Sequence, residues 1–192
     1  MTNFTQKDGN VNPTVLLAGA TGYIGSVLAE RLFEKNFDLI CPIRNKINSR
    51  LCQEINGVNY EYVNICDESA VQIICKKYKK IDYIVSCIGS RNGTAKEAQE
   101  VELNANKHLL EIGIKKNIKQ FILLSAICVQ KPSLAFQRAK LCFETILLES
   151  KVDSTIIRPT AFFKSISGQI KRITETGTPT LRHFDTATKQ DS

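Results

Sequence analysis

Three glycines at three-residue spacing, Gly19, Gly22 and Gly25, stand between a short apolar run and an amphipathic one. Before them, Thr14–Ala18 reads as a buried strand. After them, Tyr23–Lys35 carries Ile24, Leu28 and Leu32 on one helical face. Glycines at such a junction permit a tight turn and close backbone approach, so that a pyrophosphate can sit on the helix N-terminus. The candidate residues for holding it are Gly19, Thr21, Gly22, Tyr23, Ile24 and Gly25. A glycine triplet alone is weak evidence, and a turn without a ligand looks the same. The strand–turn–helix setting gives the motif its weight.

The same alternation continues along the chain. Strands are expected at Asp38–Ile43, Asn59–Val63, Tyr83–Cys87, Gln120–Ser125 and Ser154–Arg158. Helices are expected over Asp67–Tyr78, over Glu97–Lys116 with Val101, Ala105, Leu109 and Ile112 on one side, and from Ser133, read as an N-cap, to Ser150. A weaker helix is expected over Phe163–Thr176. Alternating strands and helices imply a parallel sheet covered on both faces, and the apolar, β-branched strands fit that burial. The expected fold is α/β, a doubly wound Rossmann sheet of order 3-2-1-4-5-6. The domain is expected over residues 14–176, between disordered tails at 1–13 and 177–192. In such a sheet ligands bind at the carboxyl ends of the strands, beside strands one and four.

Charge and cysteines exclude other classes. The 192 residues carry a net charge of +7, with basic clusters at Lys76–Lys80 and Lys115–Lys116. Both clusters fall at expected helix C-termini, where the dipole favours cations, and no aromatics interleave them. No nucleic-acid partner is expected. No apolar run is long enough to span a membrane. Seven cysteines without a C-x-x-C pair, and only two histidines, indicate neither a disulfide framework nor a metal site. Met1–Asn12 shows no signal core and no clear transit peptide.

The segment after strand two bears on the cofactor. It reads Pro42-Ile43-Arg44-Asn45-Lys46, with no acid to bond ribose hydroxyls. A planar guanidinium grips a phosphate, so Arg44, with Lys46 adding charge, points to NADPH. An ordinary exposed arginine is the competing reading. Asp67, after strand three, can accept from an adenine amine or cap the following helix. Cys87 and Ile88 end strand four, where backbone would run along a cofactor.

Together these features resemble the atypical short-chain dehydrogenase/reductases, NmrA-like proteins among them. That superfamily usually carries Tyr-x-x-x-Lys after strand five, and here the stretch is Phe136-Gln-Arg-Ala-Lys140. Phe136 has no titratable proton, which puts ordinary carbonyl reduction in doubt. Leu123–Pro132, Phe136–Leu141 and Ile157–Ser165 resemble the divinyl chlorophyllide a 8-vinyl reductases, a family that itself has phenylalanine at that position. The resemblance covers about Thr14 to Ile173. It implies NADPH-dependent reduction of a vinyl group on a chlorophyllide-type tetrapyrrole, in chlorophyll synthesis. It implies a chloroplast in a eukaryote or the cytoplasm in a bacterium. Peripheral membrane association is compatible with such a pigment. It also implies a catalytic role for Lys140, which would bind the nicotinamide ribose; Ser125, by its position at the end of strand five, is a candidate proton donor, with a structural hydroxyl as the competing reading. Pro159 and Thr160 would border the nicotinamide amide, and Phe162 and Phe163 could line an apolar pocket. The family pattern continues beyond Arg158-Pro159-Thr160, so a sheet incomplete at the C-terminus and weak turnover are expected of this chain. Two other readings stay open at this stage: a different apolar substrate, or a non-catalytic NADPH-binding regulatory or redox-sensing protein.

Overall fold

The computed structural model describes residues 12–44, 55–91, 94–160, 170 and 173–175. Six strands form one parallel sheet, in the order β3-β2-β1-β4-β5-β6. They are β1 (Thr14–Ala18), β2 (Asp38–Ile43), β3 (Asn59–Tyr62), β4 (Tyr83–Ser86), β5 (Gln120–Leu124) and β6 (Ser154–Ile157). The expected order is therefore the observed one. In the central strands successive residues alternate between two apolar layers, as the period-two geometry of a strand requires. In β1, Val15 and Leu17 face one layer with Ala29, Leu39 and Cys41. Leu16 and Ala18 face the other, with Ile74, Ile84, Leu109, Phe121 and Phe143.

The first layer is covered by α1 (Tyr23–Glu34). The second is covered by α2 (Ser69–Lys77), α4 (Ala105–Lys116) and α5 (Ala135–Glu149). Phe121 and Phe143 meet there with ring centroids 5.8 Å apart, a tilted contact of the favourable kind. The basic clusters do lie at helix ends, with Lys76 and Lys77 in the last turn of α2 and Lys115 and Lys116 in that of α4. At the edge, β6 alternates between half-buried and exposed residues, and Ile157 is 47% exposed.

Three local expectations are corrected. The helix expected from Glu97 begins earlier, as the short α3 (Ala95–Glu97), and passes through a π-helical stretch, Ala98–Asn104, before α4. The wider π turn shifts the inward face, so Glu102 and Leu103 are buried where periodicity had placed Val101. Ser133 does not cap α5. Its N–H and hydroxyl, with the Leu134 N–H, all donate to Gln137 Oε1, which reaches back over the first turn. The contact thus runs backward from a side chain inside the helix to the segment before it, instead of forward from the serine to the free N–H groups of the first turn. Asp67 does not cap α2 either; its carboxylate accepts from the Asn64 amide, and the residue before α2 is Glu68.

Lys46, Phe162, Phe163, most of 163–176 and nearly all of both expected tails lie outside the described residues. Among the described residues no helix is long and apolar enough to cross a membrane. None of them forms a cluster of metal-ligating side chains.

Candidate dinucleotide site

The glycine turn is built by contact as much as by conformation. Gly19 has φ of +88°, and a Cβ there would meet the Cys87 carbonyl at 2.8 Å. The turn closes with the Gly22 N–H donating to the Gly19 carbonyl over 2.9 Å. A Cβ on Gly25 would lie 2.1 Å from that same carbonyl oxygen. Bare backbone therefore lets α1 press against the turn and the turn against the end of β4. Among the described residues no side chain caps α1, and no acid sits in its first turn, an N-terminus whose dipole favours an anion.

A groove runs from this turn along the strand ends. It is lined by Gly19, Thr21, Arg44, Cys87 and Ile88 of the expected set. Asn64, Arg91 and Val101 also line it, and sequence reasoning had not singled them out. Arg91 and Asn64 follow β4 and β3, so their position at the carboxyl ends was the available signal. Arg44 is exposed. Burial pushes the Cys87 thiol up to about 11, against a smaller opposite pull from Lys140, which keeps it protonated at neutral pH. Gly22, Tyr23, Ile24, Gly25 and Asp67 adjoin the groove in sequence but do not line it. A larger hollow, about 500 Å³, lies between the start of α2, α4 and α5, lined by Cys66, His108, Ile114 and Ile146 among others. It holds none of the expected site residues, and it opens on the helical layer rather than at the strand ends.

Beyond the end of β5 the chain places Ser125 and Lys140 together. Ser125 is 5% exposed, and its hydroxyl has no hydrogen-bond partner among the described residues. Lys140, on α5, is 8% exposed, and its ammonium donates to the Leu124 carbonyl at 3.4 Å. It also forms an ion pair with Glu102 Oε2 at 2.7 Å, a partner the sequence did not reveal. Phe136 packs against the core one turn before Lys140. Pro159 and Thr160 follow β6, and the Pro159 carbonyl accepts from the Ile127 N–H. The end of β6 is fixed by a fork between Arg158 and the buried Glu144.

A family model for the NAD dependent epimerase/dehydratase family matches residues 15–163. The chain belongs to this family. Among curated relatives, the chloroplastic divinyl chlorophyllide a 8-vinyl-reductase of Arabidopsis thaliana is 38% identical over 95% of this chain and 46% of its own length. That of Cucumis sativus is 40% identical over 87% of this chain and 42% of its own. The chain thus spans less than half the length of these relatives. Among solved structures, the Bordetella bronchiseptica enzyme WbmH in complex with NAD+ superposes with a TM-score of 0.71 at 16% identity, over 86% of this chain and 64% of that one. This likeness shows the shared doubly wound fold.

Proposed function

We propose that this family member is the NADPH-binding part of an 8-vinyl reductase acting on divinyl chlorophyllide a. The observation that carries the reading is the pairing of a retained, buried Lys140 with Phe136 one helical turn earlier, packed in the core. A reductase of carbonyls needs a proton donor beside the reacting oxygen. A vinyl group conjugated to a macrocycle has no such oxygen: the charge of hydride addition spreads into the ring, and the proton that completes the ethyl group can come from Ser125 or water. The relatives' names agree with this chemistry.

The residues present fit a dinucleotide. The glycine turn borders a groove before a helix N-terminus that no described side chain caps, where backbone N–H groups and the dipole would hold phosphate. Gly19 and Thr21, at the groove, would meet the pyrophosphate, with Gly22, Tyr23, Ile24 and Gly25 setting the turn and the helix N-terminus behind it. Arg44 takes the 2′-phosphate as a charge-assisted fork, which makes the cofactor NADPH rather than NADH. Asp67 would accept from the adenine amine, and the backbone at Cys87 and Ile88 would run along the cofactor. Lys140 donates to the nicotinamide ribose, while Pro159 and Thr160 border its amide. When bound, NADPH supplies the hydride that reduces the vinyl group. Ser125, whose buried hydroxyl has no partner among the described residues, would supply the proton to the second carbon. The protein works in the plastid when the host is a eukaryote.

The test is a hybrid in which residues 14–160 of this chain replace the matching part of the Arabidopsis relative. Supplied with NADPH and divinyl chlorophyllide a, it is expected to form the product with two added hydrogens, read by mass spectrometry. Lys140→Met in the hybrid is expected to abolish that product. A folded hybrid that binds NADPH and leaves the pigment unreduced overturns the assignment.

A further inference from the structure

We propose that Glu102 is a positioning residue, holding Lys140 and the loop after β4 as one unit around the cofactor groove. Its carboxylate is 2% exposed and works on both sides. Oε1 accepts from the Ser90 N–H at 2.9 Å and from the Ser90 hydroxyl at 3.0 Å. Oε2 faces the Lys140 ammonium at 2.7 Å. Ser90 closes the loop whose residues Ile88 and Gly89 line the groove. Lys140 belongs to α5, across the end of β5. One side chain thus joins the loop after β4 to α5, two segments that share no strand or helix.

Only a carboxylate fits this duty. Ser90 presents an N–H and an O–H and Lys140 an ammonium, so both sides need acceptor oxygens. A glutamine offers one such oxygen and would turn its NH₂ towards the other donor. A buried ion pair is also a poor choice for stability alone, since apolar side chains of like volume usually do as well. The π-helical stretch brings Glu102 to the inward face, and such single-turn widenings often mark functional sites. The helix has a second anchor there. Asn106 Nδ2 donates to the Glu102 carbonyl at 2.9 Å, and its Oδ1 accepts from the Ser86 hydroxyl at 2.6 Å. Changing the Glu102 side chain therefore leaves the helix tied to the end of β4.

This inference rests on the reading of Lys140 as a cofactor contact, and the test separates the two. NADPH affinity is measured by the emission of the reduced nicotinamide in the wild-type chain, Glu102→Gln, Lys140→Met and the double variant. Folding is checked by circular dichroism at the same temperature. Glu102→Gln is expected to weaken binding about tenfold, equivalent to about 1.4 kcal/mol. The double variant is expected to lose less than the sum of the two single losses, because part of what Glu102 does passes through the lysine. Weakened Lys140→Met beside an unchanged Glu102→Gln overturns the positioning role and leaves the lysine reading intact. Additive losses also overturn it. An unchanged Lys140→Met overturns the lysine reading and the positioning role with it. Should Glu102→Gln not fold, Glu102→Asp carries the test. It keeps the charge but is too short to reach both Ser90 and Lys140, so the same loss is expected, and wild-type affinity contradicts the proposal.

Discussion

Gly22 and Gly25 look equivalent in the sequence, yet their surroundings differ. A methyl group on Gly25 would sit 2.1 Å from the Gly19 carbonyl oxygen, whereas on Gly22 it would meet that oxygen at 3.1 Å. The first distance cannot be relieved without moving α1 off the turn. The second needs only a small give. Gly25→Ala is therefore expected to destabilise the fold by about 1–3 kcal/mol, as overpacking does, which in a domain of this size is roughly 2–4 °C of melting temperature per kcal/mol. Gly22→Val is expected to melt close to the wild type but to lose NADPH, because its side chain enters the space before the first turn of α1. Calorimetric melts with and without NADPH check both. A folded Gly22→Val chain that binds NADPH normally would show that the turn is structural only. The spacing made the motif legible, but not which glycine packs and which leaves room. That depends on where one carbonyl points.

The strands are held at their other end by Asp82, which precedes β4 and is 3% exposed. It accepts from the Thr14 N–H at 3.0 Å and lies 3.2 Å from Lys80 and 3.1 Å from Lys119. Burial pushes its carboxyl up, but the Thr14 N–H and the two lysines outweigh this and hold it below the ordinary value. A carboxyl lowered in the folded state adds stability that is present above the unfolded value, about 3.9. That stability is lost as pH falls through the folded value. Asp82→Asn is accordingly expected to cost about 1–3 kcal/mol at pH 7 by urea unfolding. The gap from the wild type should close from about pH 4 downward, and a gap unchanged at low pH would contradict this. NADPH affinity is expected to stay unchanged, since Asp82 lies at the amino ends of the strands. Strands and most helices were legible because burial on two faces writes an apolar, β-branched pattern. The π turn at Ala98–Asn104 and the Gln137 cap were not. A 3.6-residue period hides an inserted residue, and a glutamine inside a helix gives no sign that it will reach back to Leu134.

At the scale of the whole molecule, sheet order followed from alternation alone, and it brings residues from distant parts of the chain to one rim. Gly19, Arg44, Cys87 and Ile88 meet in one groove, and Ser125 and Lys140 lie close by at the end of β5. The missing part of the site was Glu102, because a buried acid in an amphipathic helix resembles a solvated one until the sheet is assembled around it. The proposed function requires that this groove hold NADPH, and the proposed preference over NADH rests on Arg44. Titration calorimetry of the 192-residue chain with each cofactor measures this directly. NADPH is expected to bind more tightly than NADH. Arg44→Ala should lose about 1.5–3 kcal/mol of NADPH affinity, roughly ten- to a hundredfold, so that the two cofactors bind alike. A wild-type chain that prefers NADH, or an Arg44→Ala chain that keeps the preference for NADPH, would contradict it.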